Sequence, residues 1–346
     1  MLFYVIYLLK SKENSLNLSV VGLGSWGTAL AQSLSSKFQN VYIWGRDKLL
    51  VEAINKKHIN EKYLPEIRLN ENIVATNQLN EVFEKADIII IAIPSQAIKD
   101  FVKKTKDFNL NKKLIISASK GIDIQSLKLI SDIFMENLPI SENQIFALSG
   151  PSFAKEVALG LPTAITLGGE IHNAKYLQDI LNTKNLRFYI TEDLKGVEIG
   201  GAVKNVISIA TGISDGLGLG NNARAALITR GLYEMTKIVN IYGGKVETLY
   251  GLAGVGDLVL TATGDLSRNR KFGFLIGKGY TVNDALKAVG QTVEGVETSK
   301  AVQKIKDKYN LELPIAETVY KIIYENLPPA KAIDILMSRQ PTKEFI

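Results

Sequence analysis

The chain has 346 residues, 46% hydrophobic and 22% charged, a balance that suits a globular protein with room for two folding units. It has no cysteine, which removes disulfides, thiolate nucleophiles and cysteine-ligated zinc, and its 2 histidines make a multi-histidine metal site a poor fit. The net charge of +6 comes from lysines spread along the chain, so nucleic acid is not an expected partner, whereas an anionic cofactor or substrate suits the sign.

Residues 1–17 contain an apolar run, Leu2 to Leu9, far shorter than the roughly 20 residues that span a bilayer as a helix. No basic residue precedes it and no small-residue cleavage site follows, so a secretory signal fits poorly. A loose extension or an upstream start codon is the expected account, with a weak membrane-surface tag as the alternative. No integral membrane segment is expected.

Leu18 to Ala31 reads as a strand, a glycine turn and a helix start. The turn Gly22-x-Gly24-Ser25-Trp26-Gly27 has the order a dinucleotide pyrophosphate needs. The first glycine makes the turn, the second lets backbone approach the phosphates, and the third lets the helix pack on the sheet. The helix N-terminus adds free N–H groups and partial positive charge. A ligand-free glycine turn is the bland rival, and the flanking strand and helix weigh against it.

Val41–Trp44 is a second strand, followed by Arg46 and Asp47. An acid here suits the ribose of NAD, and an arginine suits the 2′-phosphate of NADP. The pair reads as a site that takes NADP and also NAD. Residues 48–80 read as a helix (Leu49 to Lys57) and a loop, in which His58 has no partner at a telling spacing and is assigned a structural role.

Ala86–Ile93 is a continuous β-branched run, the mark of a parallel strand buried on both faces. Leu114–Ser117, Ile145–Leu148, Ala164–Leu167 and Arg187–Ile190 are further strands. The glycine turn, Arg46, Pro94-Ser95, Lys120 and Gly150–Ser152 all follow strand C-termini, the rim where open α/β sheets bind ligands.

From about Val197 the apolar spacing turns helical, as in Asn222–Tyr242, Thr281–Val289, Thr298–Tyr309 and Ile315–Tyr324. A boundary near Thr191–Gly196 is expected, with an all-α second domain. Two glycine-dense stretches, Gly212–Gly220 and Gly251–Gly256, read as loops that helix packing does not need, which invites a functional role.

Reduction or oxidation of a carbonyl–alcohol pair requires a group that moves the alcohol proton. Tyr233-x-x-x-Lys237 has the spacing of short-chain dehydrogenases but falls in the helical part, so core helix with a solvated lysine is the better account. Lys204 is the stronger candidate: small residues precede it, which would let a ligand approach, and apolar residues follow, which suggests burial and a lowered pKa. A surface lysine on an amphipathic helix remains open on spacing alone. Ser267-Arg268-Asn269 suits a phosphate or carboxylate, with an N-cap serine in a polar loop as its rival.

Together, the glycine turn, Ser119-Lys120-Gly121, Gly150-Pro151-Ser152-Phe153-Ala154, Gly201-Ala202-Val203-Lys204-Asn205 and Gly264-Asp265-Leu266-Ser267-Arg268-Asn269 resemble the bacterial NAD(P)-dependent glycerol-3-phosphate dehydrogenases. The similarity runs from Leu18 to the C-terminal region; departures include Leu23, where the family has alanine or glycine, and Ala118, near where it has threonine. The resemblance implies an α/β Rossmann-type domain with a mostly parallel doubly wound sheet (18–196). It also implies an all-α domain of the 6-phosphogluconate-dehydrogenase-like type (197–346). It assigns Lys204 as proton donor and acceptor, with Lys120 and Asp257 beside it. Ser25, Trp26, Arg46, Tyr63, Lys120, Ala154, Arg268 and Glu294 join Gly22, Gly24 and Gly27 at the cofactor. Lys120, Gly150, Ser152, Lys204, Asp257, Ser267, Arg268 and Asn269 fall at the substrate.

The implied reaction is reversible reduction of dihydroxyacetone phosphate to sn-glycerol 3-phosphate with NAD(P)H and no metal, supplying the glycerophospholipid backbone. A cytoplasmic homodimer is expected. The alternatives are a related dehydrogenase of a β-hydroxy acid, and a nucleotide-sensing protein that keeps only the glycine turn.

Overall fold

The computed structural model describes residues 16–340 and 343–344. Its strands are β1 (Asn17–Val21), β2 (Asn40–Trp44), β3 (Ile59–Asn60), β4 (Leu64–Arg68), β5 (Ile73–Thr76), β6 (Ile88–Ile91), β7 (Leu114–Ser117), β8 (Ile145–Ser149), β9 (Thr163–Gly168) and β10 (Leu186–Thr191). An 8-stranded sheet takes the order β10-β9-β8-β7-β6-β1-β2-β5, and every neighbouring pair is parallel except β8–β9. The order reverses at β1, whose neighbours are β2 and β6, so a crevice opens where ligands bind in such sheets.

The isoleucines of β6 show why this strand is central. Ile88 and Ile90 join the core under helices Lys48–Lys57 and Ile171–Leu181, whereas Ile89 and Ile91 join Phe83, Phe101 and Phe134 on the opposite face. Alternation along the strand sends adjacent side chains to opposite layers, and both layers are apolar.

Three expectations are corrected. The stretch after Lys57 is not simply a loop: β3 and β4 form an antiparallel ribbon, and β5 is the sheet's edge strand. These strands are short and Pro65 interrupts the pattern, so periodicity is weak there. The extension of 1–17 ends earlier than expected, since Leu16 is buried and Asn17 begins β1; residues 1–15 lie outside the described residues.

The third concerns Gly212–Gly220. Gly212 and Gly216 belong to the central helix (Leu194–Gly216), and helix packing does need them. A Cβ at Gly212 would come within 2.1 Å of the Arg270 carbonyl oxygen, and one at Gly216 within 2.3 Å of that of Phe274. Gly273 and Gly277 of the crossing helix (Arg268–Gly277) approach Ile209 and Ile213 in the same way. Two small-x-x-x-small faces therefore bring the backbones together. In Gly251–Gly256, Gly251 is an extended N-cap and Leu252–Gly256 is a π-turn that delivers Asp257.

Beyond β10 the described residues form helices and no strand. Their core centres on the central helix, and two residues from the sheet half, Ile122 and Leu129, are part of it. The strap containing them is held to the helices: the Tyr242 hydroxyl donates to the Leu127 carbonyl at 2.6 Å and Lys304 Nζ to that of Ile124 at 3.0 Å. Lys120 lies just ahead of this strap. No described helix is long and apolar enough to cross a membrane.

Candidate active site

A cleft of about 1290 Å³ runs along the strand C-termini and is closed on its far side by helices of the C-terminal half. The glycine turn forms one end. Gly22 has φ +130°, and a Cβ there would meet the Ala92 carbonyl oxygen at 2.3 Å. At Gly27 a Cβ would lie 2.1 Å from the Gly22 oxygen, so this glycine serves packing. Gly24 differs: it faces open space with nothing within 4 Å.

Gly24 is also the N-cap of the helix Ser25–Leu34, which has no side-chain cap and no acidic residue in its first turn. This is a cradle for phosphate oxygens, with room above the glycine and helix N–H groups left for an anion. Trp26 Nε1 is buried there without a protein partner. These features fit a dinucleotide. Further along, Asp47 caps the helix Lys48–Lys57 by accepting from the Leu50 amide at 3.2 Å, and Lys62 lies 3.7 Å from it. The exposed Arg46 guanidinium has no ion pair among the described residues.

The chemical centre lies at the meeting of the two halves. Asp257, from the turn after the π-turn, is 1% exposed. Lys204 Nζ donates to its Oδ1 and to Thr261 Oγ1, the latter at 2.6 Å. Lys120 Nζ donates to Oδ2 at 2.7 Å, and Ser149 Oγ to the same oxygen at 3.2 Å. Thr261, one turn after Asp257, donates its own hydroxyl to the Asp257 carbonyl at 2.7 Å. An ammonium has three donors, so two contacts leave Lys204 one N–H for a ligand.

Burial and the nearby charge of Lys120 push Lys204 down to about 7, while Asp257 works to hold its proton. Burial opposes the charge on Asp257, but the two lysines outweigh it and keep the carboxyl below its ordinary range. The cluster is thus an ionised aspartate holding a lysine that can release its proton near neutrality.

At the far end Ser267 caps the helix Arg268–Gly277, accepting from the Arg270 amide at 3.1 Å, and Asn269 donates to Asn205 Oδ1 at 2.9 Å. Ser267 is both the N-cap of the bland reading and a wall of the cleft. Arg268 reaches Gln291 at 3.3 Å with its guanidinium along the cleft. Desolvation lowers its pKa against the pull of Glu294, and burial raises that of Glu294 against Ser95 and Arg268. Ser95 Oγ donates to Glu294 Oε2 at 2.9 Å, joining the sheet rim to the helical side.

Most of the expected site residues line this cleft: Gly22, Gly24, Ser25, Trp26, Arg46, Tyr63, Lys120, Ser152, Ala154, Lys204, Asp257, Ser267, Arg268, Asn269 and Glu294. Gly27 and Gly150 do not; a Cβ at Gly150 would lie 2.8 Å from the Ile165 Cα, so its role is backbone packing. The small residues before Lys204 also serve protein contacts rather than ligand approach. A Cβ at Gly200 would meet the Ala253 oxygen at 2.4 Å, and one at Gly201 the Ser149 hydroxyl at 2.6 Å.

Thr261 and Ser149 also join the site, and only the four-residue spacing of Thr261 from Asp257 signalled them, whereas Ser95 stood on the strand rim and Asn205 beside Lys204 in stretches already singled out. Tyr233 and Lys237 pack against one another, with Nζ 4.9 Å from the ring centroid, away from the cleft. His58 ends its helix at φ 52° and pairs with Glu71 at 3.0 Å. Among the described residues, no group of three or more His, Cys, Asp or Glu could hold a metal ion.

Comparison with known proteins adds to this geometry. The sequence model described as NAD-dependent glycerol-3-phosphate dehydrogenase N-terminus matches residues 17–176, and that of the C-terminus matches residues 193–334. The chain is 44% identical over 331 residues to the glycerol-3-phosphate dehydrogenase (NAD(P)+) of Citrifermentans bemidjiense, covering 95% of this chain and 99% of that one. Against the protein of the same name from Carboxydothermus hydrogenoformans it is 41% identical over 332 residues, with 96% and 99% covered. The crystal structure of glycerol-3-phosphate dehydrogenase from Coxiella burnetii superposes with a TM-score of 0.90 at 40% identity, over 94% of this chain and 99% of that one.

Proposed function

The chain belongs to the NAD-dependent glycerol-3-phosphate dehydrogenase family, and from that premise we infer that its cleft interconverts dihydroxyacetone phosphate and sn-glycerol 3-phosphate with NAD(P)H. Its product supplies the backbone of glycerophospholipids. The observation that carries the reading is the buried Lys120–Asp257–Lys204 cluster, set between the glycine turn and the segment Ser267–Asn269.

The chemistry that a nicotinamide would supply when bound in the cleft is hydride for the C2 carbonyl carbon. The residues of the chain handle the oxygen. Lys204 turns its third N–H to that oxygen and gives it the proton as negative charge develops. Asp257 keeps the ammonium oriented, and Thr261 fixes its second donor. Lys120 adds a positive charge on the other oxygen of Asp257, which keeps that carboxylate ionised when Lys204 becomes neutral. Arg268, with Ser267 and Asn269, receives the substrate phosphate by charge-assisted hydrogen bonds. The helix start at Gly24 receives the cofactor pyrophosphate, and Arg46 suits a 2′-phosphate.

The same reading makes the half from Leu16 through β10 the cofactor domain and the helical half from Leu194 onward the catalytic domain, in a cytoplasmic homodimer. Sedimentation of the purified chain tests the assembly. The decisive assay is oxidation of NADPH or NADH on adding dihydroxyacetone phosphate, with a non-phosphorylated β-keto acid as control. Turnover of the phosphate ester alone is expected. Turnover of the β-keto acid instead would assign the cleft to a β-hydroxy acid.

A further inference from the structure

We propose that Arg270 is a positioning residue for the phosphate end of the cleft, acting through Asp215 and Asp265 on the segment Ser267–Asn269; the proposal rests on the function inferred above. Arg270 follows Asn269 directly but does not line the cleft. Its Nε donates to Asp215 Oδ2 at 2.8 Å and its Nη1 to Asp265 Oδ1 at 2.9 Å, while its backbone amide donates to Ser267 Oγ. One residue thus closes the turn from both sides. The backbone also holds the base of the turn, with the Gly264 amide on the Leu260 carbonyl at 2.9 Å and the Ser267 amide on the Gly264 carbonyl at 3.2 Å, but its tip packs on nothing: Leu266 is exposed and the Asp265 side chain is 96% exposed.

Asp215 anchors the arrangement. It lies on the central helix that carries Lys204, its side chain is 5% exposed, and its other oxygen receives Arg224 at 2.7 Å. The glycine crossing lets no side chain come between the central helix and Arg268–Gly277. Arg270 therefore ties the anion-binding segment to the helix that holds the proton donor.

The test is steady-state kinetics of the full chain with dihydroxyacetone phosphate and NADPH. Cofactor affinity is read from intrinsic fluorescence, because the 2 tryptophans, Trp26 and Trp44, both line the cleft. Arg270→Lys keeps the charge but cannot make the forked contact. It is expected to raise KM for dihydroxyacetone phosphate about tenfold with kcat within about threefold, as loss of substrate positioning predicts. Asp265→Asn removes only an exposed partner and is expected to raise KM about twofold with Tm unchanged.

An unchanged KM in a folded Arg270→Lys protein overturns the proposal. So does a fall in kcat, substrate affinity and NADPH affinity that tracks a fall in Tm, because that is the signature of a merely structural residue. A wild-type chain inactive on dihydroxyacetone phosphate overturns the functional reading and this proposal together, whereas the variant results bear on the proposal alone.

Discussion

Lys204 and Asp257, 53 residues apart in sequence, meet as a buried ion pair with 7% and 1% of their side chains exposed. Burial drives Lys204 toward its neutral form, and the aspartate restrains it. Removing the amine should therefore end proton transfer without disturbing the glycine turn. Lys204→Ala is expected to lower kcat by about 10²–10⁴ with NADPH affinity within about twofold. Wild-type turnover by this variant would exclude Lys204 from the reaction.

The pH dependence follows from the same pair. Ketone reduction needs protonated Lys204, so its kcat should fall as pH rises through about 7, whereas glycerol 3-phosphate oxidation, which needs the neutral amine, should rise through the same pH. Asp257→Asn removes the charge that holds the proton, so the limb should move to lower pH. A limb that stays in place in this variant would show that Asp257 does not restrain Lys204.

Arg268 lines the cleft, and among the described residues its guanidinium bonds to Gln291 and feels the charge of Glu294. Arg268→Ala should raise KM for the phosphate ester by about tenfold or more, with a smaller loss of NADPH affinity because the cofactor shares this wall. Unchanged kinetics would move the phosphate site elsewhere.

The glycines of the turn separate binding from stability. Gly24→Ala adds a methyl group in open space, so Tm should hold while NADPH affinity falls. Gly27→Ala puts one 2.1 Å from the Gly22 oxygen, and should cost about 1–3 kcal/mol of stability. Chemical denaturation and fluorescence titration of both variants distinguish the two roles.

A buried acid outside the cleft should make stability depend on pH. Glu198 accepts from the Ser131 amide at 3.0 Å and from its hydroxyl at 2.5 Å, and burial raises its carboxyl from 4.5 to about 7. Between those values the folded chain binds the extra proton, so this residue's contribution falls as pH rises and is about 3 kcal/mol less favourable above 7. Glu198→Gln should therefore raise Tm at pH about 8 and have little effect near pH 5. An equal shift at both pH values would mean that the carboxyl does not titrate in this range.

Much of the fold was legible because its signals are local. The strand runs, the glycine turn and the change from β-branched to helical spacing near Val197 each depend on neighbouring residues, and each formed as read. Gly212 and Gly216 misled because a glycine that opens a loop and one that admits a crossing helix look alike until Gly273 and Gly277 face them. β3 to β5 escaped notice because short strands at an edge carry little periodicity.

The candidate site divides in the same way. Gly24 and the uncapped helix start could be anticipated from one stretch of chain, because a phosphate cradle is made by consecutive backbone atoms. Composition alone also limited the chemistry, since a chain without cysteine and with 2 histidines has lysine and carboxylates left for proton transfer. On spacing, Lys204 was as consistent with a surface lysine as with a buried donor. Only the tertiary structure decided between them, by gathering Lys204, Lys120, Thr261 and Ser149 from both halves of the chain around the buried carboxylate of Asp257. Burial and opposed charges set its proton affinity, and both depend on distances in space rather than on separation in sequence.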